Sequence, residues 1–278
     1  MAEPTLAEND VLRLRRLLGD SHGVDLSYYT ESFLTRRVSA RMRQVKAATP
    51  GDYLQLLETD PVELRALLAA LTINVTEFFR DAAVYEALRK NVIPKILASG
   101  RKRIAAWSAG CATGQEAYTL AMTLDEALST REGASYVVYA SDISPRQLEA
   151  AEAATYPTDA VKCVPARYGR RYFAPVGADR IEILPSLKSN VRFFQHDLSA
   201  ALPTPAIGFD LILCRNVMIY FASDVKPKIF ETFQRLMTPG GYLVLGGTEV
   251  ILNDRLFRVV DPANKIYQAV PRPVPGDR

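Results

Sequence analysis

Five short apolar segments, separated by longer segments with helical periodicity, dominate the chain between residues 104 and 245. The apolar segments are residues 104–108, 136–141, 191–194, 211–214 and 242–245, and the helical segments are about 114–129, 144–154 and 224–237. Strands that are apolar along their whole length are buried on both faces, which happens when helices cover both sides of a parallel sheet. We therefore predict an α/β fold with a parallel sheet in this part of the chain.

The region before this sheet has a different pattern, because apolar residues recur every three or four positions and nothing in it alternates like a strand. We predict a helix that contains Val11 and Leu18 and further helices at about 31–47, 61–71 and 82–98. Pro50 and Gly51 are expected to end the second helix, and Asp81 to cap the fourth. This pattern predicts a helical domain over residues 1–81 and a second domain over residues 82–278.

The second predicted helix, 31–47, carries an unusual concentration of positive charge. One stripe of it is apolar, and basic residues occupy the rest of the cylinder: Arg36, Arg37, Arg41, Arg43 and Lys46. Most charged helix faces are merely solvated, so this face is either a solvated surface or a docking surface for an acidic partner.

Between residues 156 and 190, prolines and two clusters of arginine and tyrosine interrupt the alternation of strands and helices. Residues 180–184 alternate between polar and apolar side chains, as a half-buried strand does. We predict a small β subdomain, about 157–190, inserted into the α/β domain, and a hairpin at about 255–269.

Composition limits the classes of partner and cofactor. Lysine and arginine number 34 and aspartate and glutamate 31, and this surplus of three is too small to predict binding to nucleic acid or to an anionic membrane. Two histidines and three widely spaced cysteines predict neither a metal site nor a disulfide framework. The chain shows no signal-peptide pattern and no apolar run near the roughly 18 residues of a membrane span, so we expect a cytoplasmic protein.

Ligands of open α/β sheets bind beyond the carboxyl ends of the strands, so the loops there form the candidate site. The first loop, 107–114, contains Gly110 and Gly114, whose spacing differs from the G-x-G-x-x-G cradle for a pyrophosphate. This spacing favours a nucleoside and amino-acid ligand. Glu116 follows the loop and has two interpretations: a ligand contact, or the glutamate of a capping box with Thr113.

Acidic residues follow the second and third predicted strands. Asp142 is placed either to accept hydrogen bonds from a ribose or to cap the next helix, although Ser144 and Gln147 already offer a cap and a capping box there. Because Ser144 and Gln147 can cap the helix without Asp142, we predict that Asp142 is the ribose acceptor. Asp197, which precedes Leu198, either contacts an adenine edge or is a solvated loop residue.

Polar residues also follow the fourth predicted strand, where Arg215, Asn216 and Tyr220 come after an apolar run. Polar side chains at that point usually face a site. Cys111 and Cys214 lie beside the same predicted pocket, and we expect them to be small buried fillers.

Taken together, four segments of the chain resemble the chemotaxis receptor methyltransferases, the CheR family: residues 74–81 (NVTEFFRD), 107–116, 140–143 and 214–221 (CRNVMIYF). The resemblance covers about residues 10–270. It implies a helical domain, a Rossmann-like class I methyltransferase domain with a small inserted β subdomain, S-adenosylmethionine as cofactor, S-adenosylhomocysteine as product, and no metal. It also implies a set of cofactor contacts: Asn74, Thr76, Arg80, Glu116, Asp142, Asp197, Leu198, Cys214, Arg215 and Asn216.

The resemblance further implies methylation of glutamate side chains on cytoplasmic helices of chemotaxis receptors, in sensory adaptation, with Arg80 and Tyr220 beside the transferred methyl. A glutamate with its usual pKa of about 4.3 is ionised at pH 7 and needs no general base. Arg80 is expected to fix a carboxylate and Tyr220 to donate a hydrogen bond. The alternatives are a salt bridge of Arg80 with Glu77 or Asp81, and plain packing of Tyr220.

The expected partner is the helical bundle of a chemotaxis receptor, bound through the basic helix at about 31–47. Residues 171–181 contain Pro175 and a single glycine, which argues against capture of the receptor's C-terminal peptide as an added strand. We expect a monomer that binds no nucleic acid and inserts into no membrane.

Three other functions fit parts of the pattern. Methyltransferases that act on nucleic-acid bases or protein amides resemble one another in an NPPY or DPPY string after the fourth strand, where this chain reads RNVM at 215–218. A non-catalytic module that binds the cofactor would not need Arg80 and Tyr220. A nicotinamide dehydrogenase is disfavoured by the glycine spacing of the first loop.

Overall fold

The computed structural model describes residues 6–22, 26–71, 76–200, 208–251 and 253–271. The chain forms two compact units, one from Met1–Ile73 with Tyr220–Lys226 and the other from Asn74–Ile219 with Pro227–Arg278. This division differs from the predicted boundary after Asp81, because residues 74–81 belong to the second unit and a short later segment belongs to the first.

The first unit is helical. Its helices are α1 Glu8–His22, α2 Glu31–Val45, α3 Pro50–Thr59 and α4 Pro61–Leu71. Thr30 caps α2, since its side chain accepts a hydrogen bond of 3.3 Å from the Phe33 N–H. Apolar residues from all four helices form one buried core, which includes Leu14, Leu34, Met42, Leu57 and Leu67.

Helix α3 was not predicted. Pro50, which was expected to end the preceding helix, lies in the first turn of a new one, where its missing N–H costs nothing. Thr49 and Asp52 form a capping box, in which the Asp52 N–H donates to Thr49 Oγ1 and the Thr49 N–H donates to Asp52, both at 3.1 Å.

A buried carboxylate ties α2 to α3 and α4. Arg41 Nε donates to Glu63 Oε1 at 3.0 Å, and the Tyr53 hydroxyl donates to the same oxygen at 2.7 Å. Arg41 therefore forms an ion pair within the unit, whereas the sequence pattern predicted it to lie among the solvent-facing basic residues of α2. Arg36 and Lys46 are exposed.

Residues 220–226 complete this unit from a distant part of the chain. The Thr30 N–H donates to the Tyr220 carbonyl at 3.1 Å, and the Ala222 N–H donates to the Tyr28 carbonyl at 2.8 Å. The ring of Phe221 stacks on Tyr29 with centroids 5.6 Å apart. Two backbone hydrogen bonds and an aromatic stack thus hold the segment on the helical unit.

The second unit contains a seven-stranded sheet with the order β6-β2-β1-β7-β8-β10-β9. Its strands are β1 Arg103–Ala109, β2 Ser135–Asp142, β6 Val191–Gln195, β7 Phe209–Cys214, β8 Met237–Leu245, β9 Phe257–Asp261 and β10 Ile266–Ala269. The first five strands in this order are parallel, and β10 and β9 form the antiparallel hairpin at the edge. The five predicted apolar strands and the predicted hairpin are all present.

The direction of winding changes at β1. From β1 the sheet runs through β2 to β6 on one side and through β7 to β8 on the other. Ser108 of β1 pairs with Ala140 of β2 and with Leu213 of β7, so the carboxyl ends of the three strands lie at one level. A change of winding direction at this level is where open α/β sheets bind ligands. The predicted α/β fold class is confirmed.

Helices flank this sheet: α5 Ala82–Ala87, α6 Ile93–Ala98, α7 Gln115–Leu128, α8 Pro145–Ala153 and α11 Lys226–Leu236. A π-helical turn, Leu88–Val92, joins α5 to α6, so the predicted helix at 82–98 is continuous but irregular. Asp81 occupies the N-cap position of α5, as predicted, although its side chain makes no capping hydrogen bond.

The predicted inserted subdomain is a three-stranded antiparallel sheet with the order β3-β5-β4. Its strands are β3 Thr155–Pro157, β4 Phe173–Val176 and β5 Arg180–Ile183, and the short helices α9 Ala166–Tyr172 and α10 Pro185–Lys188 complete it. The ring of Phe78 packs edge-on against Tyr156 and Phe173 at 5.0 and 5.3 Å, which anchors the small sheet beside the 78–81 turn.

Candidate active site

The loop after β1 is fastened to the neighbouring strand. The N–H groups of Gly110 and Cys111 both donate to the Ser141 carbonyl, at 2.8 and 2.9 Å. Gly110 has φ +80°, and a Cβ there would lie 2.6 Å from Cγ2 of Val217 in the loop after β7. Only glycine allows this close approach, so the loops after β1 and β7 are in direct contact.

Asp142, at the end of β2, fastens two loops through its carboxylate. Oδ2 accepts the Ala112 N–H at 2.9 Å, and Oδ1 accepts the Ser144 N–H at 3.0 Å. Burial raises the pKa of this carboxyl, and the backbone N–H groups of Ser144, Ala112 and Ile143 oppose the rise. The predicted cap and capping box of α8 are not formed, because Ser144 makes no side-chain capping bond. Asp142 therefore has a structural role at the loop ends, and its remaining lone pairs keep it available as an acceptor.

Glu116 lies behind the same loop. The predicted capping box with Thr113 is absent, since Gly114 occupies the N-cap position of α7 and Thr113 Oγ1 donates to Gln115 Oε1 at 2.7 Å. Glu116 Oε1 instead accepts the Ser108 hydroxyl at 2.8 Å. Burial raises the pKa of Glu116, while the positive charges of Arg215 and Arg80 lower it. Glu116 is thus a largely buried acid that lies 3.7 Å from the guanidinium of Arg215.

Arg215 follows β7, and its side chain is only 2% exposed. Nη1 donates to the Arg80 carbonyl at 3.0 Å and to the Tyr85 hydroxyl at 3.2 Å, and it lies 3.7 Å from Glu116 Oε2. Nη2 donates to Asp81 Oδ2 at 2.5 Å. Two carboxylates therefore compensate the buried guanidinium, as such a charge requires.

Asn216 adopts the left-handed conformation, with φ 60°, and a buried glutamate that the sequence analysis missed holds it there. Glu249 Oε2 accepts the N–H groups of Asn216 at 2.9 Å and Gly246 at 2.6 Å, while Oε1 accepts the Ile219 N–H at 3.3 Å. Residues 246–249 come directly after β8, so reading the end of the fifth parallel strand like the others would have identified Glu249.

The sheet and its loops match a known protein family. A family model described as the CheR methyltransferase SAM-binding domain matches residues 74–266, and one described as the CheR methyltransferase all-alpha domain matches residues 9–72. The chain belongs to the CheR methyltransferase family. The resemblance carried by residues 74–81, 107–116, 140–143 and 214–221 is therefore confirmed, and the family's two domains account for most of the chain.

Relatives within the CheR family match over nearly the full chain. A chemotaxis protein methyltransferase of Listeria monocytogenes is 35% identical over 260 residues, covering 94% of this chain and 97% of the relative. Chemotaxis protein methyltransferase 1 of Pseudomonas aeruginosa is 34% identical, covering 89% and 92%. A solved S-adenosylmethionine-dependent methyltransferase from Mesorhizobium loti is 19% identical and covers 55% of this chain and 51% of its own, with a TM-score of 0.30.

Several predicted contacts of this CheR methyltransferase domain converge at the ends of β1 and β7. Glu116 lies 3.7 Å from Arg215, and the charges of Arg215 and Arg80 lower its pKa against the effect of burial. Burial, with the charges of Glu249 and Glu116, raises the pKa of Cys214. Cys111 and Cys214 are both buried, as expected for fillers. Thr76 is half-buried, and Asn74 lies outside the described residues.

The other predicted residues lie elsewhere. Asp197 Oδ1 accepts the N–H and the hydroxyl of Ser199, so this carboxylate stabilises its own turn, and Leu198 is half-buried beside it. Tyr220 belongs to the helical unit, where its ring packs against Phe33 with centroids 5.0 Å apart. The side chain of Tyr220 therefore makes the packing contact that its alternative interpretation expects.

The donor and acceptor groups of the site fit S-adenosylmethionine. Arg215 Nε and Asn216 Oδ1 are buried without a hydrogen-bond partner among the described residues, and such atoms are costly unless a ligand satisfies them. The carboxylates of Glu116 and Asp142 supply acceptors and negative charge, which suit the ammonium, sulfonium and ribose hydroxyl groups of this cofactor.

In the part of the chain that the structure describes, no group of three or more histidine, cysteine, aspartate or glutamate side chains is arranged to hold a metal ion. No helix there is long and apolar enough to cross a membrane.

Proposed function

We propose that this protein transfers a methyl group from S-adenosylmethionine to glutamate side chains on the cytoplasmic helices of chemotaxis receptors, giving glutamate methyl esters in sensory adaptation. The observation that carries the proposal is the match of residues 74–266 to a CheR methyltransferase SAM-binding domain, in which Arg215 contacts both the Arg80 carbonyl and Glu116 at the strand ends. An arginine beside the pocket is the group that an incoming carboxylate needs.

The cofactor would be held by residues from five separate segments of the chain. Asp142 would accept from the ribose, and Asp197 with Leu198 would contact the adenine. The remaining contacts would come from Asn74, Thr76, Arg80, Glu116, Cys214, Arg215 and Asn216. When bound, S-adenosylmethionine supplies a methyl carbon on a sulfonium sulfur, and that carbon–sulfur bond breaks as a carboxylate oxygen bonds to the methyl.

The substrate chemistry explains which residues are needed. A glutamate carboxylate is the anion at pH 7, so the attack releases no proton and requires no base. The enzyme must orient a weak nucleophile, and positioning contributes about 7–11 kcal/mol in favourable cases. Arg80 would bind one oxygen of the carboxylate, and the Tyr220 hydroxyl would donate a hydrogen bond near the methyl.

Receptor recognition is proposed to occur through α2. Arg36 on this helix and Lys46 at its C-cap are exposed and suit an acidic helical bundle, whereas Arg41 is paired with Glu63. In the small sheet, Pro175 lies in the edge strand β4 and offers no N–H to an added strand. We therefore propose docking of a monomer without a C-terminal peptide tether, in the cytoplasm, with neither nucleic acid nor membrane insertion involved.

Transfer of radiolabelled methyl from S-adenosylmethionine into receptor-containing membranes tests the proposal. We expect label that is released as methanol by mild base, since carboxyl methyl esters are base-labile. Arg80→Ala should abolish most transfer, and Tyr220→Phe should reduce it less, because the ring remains. Base-stable label would indicate methylation of nitrogen and would overturn the proposal.

A further inference from the structure

The turn that carries Arg80 has an unusual backbone. Phe79 and Asp81, the residues on either side of Arg80, both adopt the left-handed conformation, with φ 54° and 56°. This conformation costs about 1–2 kcal/mol for a residue with a side chain, and it is rare for a bulky residue such as phenylalanine. Contacts from outside the turn must therefore hold it.

Side chains from α7 and from the end of β7 provide those contacts. The Phe79 N–H donates to Thr119 Oγ1 at 3.1 Å, and this hydrogen bond is buried. On the other side of Arg80, the guanidinium of Arg215 donates to the Arg80 carbonyl at 3.0 Å and to the Asp81 carboxylate at 2.5 Å. The turn is thus fixed before and after the proposed catalytic arginine.

Arg215 has little freedom of its own. Its guanidinium also contacts the Tyr85 hydroxyl at 3.2 Å, lies over the Tyr85 ring with the centroid at 5.6 Å, and is 3.7 Å from Glu116. A guanidinium with contacts in several directions is a rigid fork, whereas lysine would present one flexible point charge. The geometry of Arg215 is therefore transmitted to the backbone of Arg80.

We propose that Arg215 is a positioning residue, which acts on methyl transfer by fixing the backbone of Arg80. This inference rests on the proposed function for the catalytic role of Arg80. It assigns the guanidinium of Arg215 a function beyond the cofactor contact that the family resemblance implies. It also explains why an arginine, with three hydrogen bonds from its two terminal nitrogens, occupies this buried position.

Amide hydrogen exchange in the free protein tests the structural half of the proposal. The N–H groups of Phe79 and Val84 report on the turn, because one donates to Thr119 and the other to the Asp81 carbonyl. Arg215→Lys should speed exchange at both by about tenfold or more. The matched control is Arg101→Lys, which alters the ion pair with Asp210 at the opposite end of β7 and should leave both rates unchanged.

A double-mutant cycle tests the catalytic half. We expect Arg215→Lys to lower kcat, measured at saturating S-adenosylmethionine, by about 10–100-fold, the effect of a small misplacement. A loss of S-adenosylhomocysteine affinity in calorimetry would report separately on the cofactor contact of Arg215. In an Arg80→Ala background the same change should lower kcat less than about twofold, because the group being positioned is gone. Equal losses in the two backgrounds, or unchanged exchange at Phe79 and Val84, would overturn the proposal.

If Arg215→Lys does not fold, Asp81→Asn replaces it. The Asp81 side chain is 57% exposed, and this change weakens one of the two contacts that Arg215 makes with the turn. Smaller effects in the same direction are expected. If the unmodified enzyme transfers no methyl to glutamate, the proposed function fails, and the exchange measurement still decides whether Arg215 holds the turn.

Discussion

Replacing Gly246, which directly follows β8, with alanine is expected to displace Asn216 in the loop after β7. A Cβ at Gly246 would lie 2.7 Å from the Asn216 backbone nitrogen and 2.8 Å from both Asn216 Nδ2 and Glu249 Oε2. Ordinary contact begins at 3.4 Å, so each of these atoms has to move by about 0.6–0.7 Å. The Asn216 N–H donates a hydrogen bond to the Glu249 carboxylate, so moving either residue away from the added methyl disturbs this hydrogen bond.

The magnitude follows from two costs. Overpacking in a buried region costs about 1–3 kcal/mol. Weakening a hydrogen bond to a charged acceptor costs about 1.5–3 kcal/mol, and part of this is lost here. We therefore expect Gly246→Ala to lower the free energy of unfolding by about 2–4 kcal/mol and to raise the Kd for S-adenosylhomocysteine about tenfold, which corresponds to 1.4 kcal/mol.

Gly247→Ala is the matched control, because no atom lies within 4 Å of a Cβ at Gly247. The same chemical change there should leave the free energy of unfolding unchanged or raise it by up to about 1 kcal/mol through the unfolded chain. Urea unfolding and calorimetry compare the two variants. If they agree within about 0.5 kcal/mol in stability and bind the ligand equally, Glu249 does not hold Asn216 as described.

Other substitutions test other parts of the molecule. Arg36→Glu should weaken binding to a receptor helical bundle with no loss of stability, and equal binding by this variant and the unmodified protein would refute docking through α2. Arg41→Glu breaks a partly buried ion pair and should lower the free energy of unfolding by about 3 kcal/mol. Asp142→Asn should raise the Kd of S-adenosylmethionine and S-adenosylhomocysteine about tenfold, and unchanged calorimetry would leave Asp142 as a loop anchor only. The pKa of Glu86 is lowered to about 2 by hydrogen bonds from two basic neighbours, so its contribution to stability is present above pH 4.5 and is lost as the pH falls through 2. In Glu86→Gln, the free energy of unfolding should decrease less between pH 4.5 and pH 2 than in the unmodified protein. The difference is at most about 1 kcal/mol, because the ion pair is partly exposed, and urea unfolding across this pH range measures it.

Features set by local pattern were predictable from the sequence. The parallel strands follow from apolar runs, and the position of Asp142 follows from the rule that strand ends form the site. The α3 helix was missed because Pro50 has the same signature whether it ends one helix or begins another. The position of Pro50 one residue after the N-cap Thr49 decides between them only when the capping geometry is known.

Contacts between distant residues were not predictable in the same way. Thr113 and Glu116 have the spacing of a capping box, but Ser108 and Arg215 bind Glu116 instead, and burial among them outweighs the local preference. The pairing of Arg41 with Glu63 likewise depends on how α2 packs against α4. A single sequence gives the residue types at the strand ends, whereas their partners are set by tertiary packing.

The segment 220–226 affects how this protein can be divided or recombined. The chain passes between the two units three times, after residues 73, 219 and 226, so the helical unit is not an independent N-terminal module. A fragment that stops at residue 73 would leave Tyr29 without the ring of Phe221 and Tyr28 without the N–H of Ala222. A chimera that exchanges the helical domain between two relatives must therefore exchange both segments, and natural recombination at a single junction would separate residues that fold together.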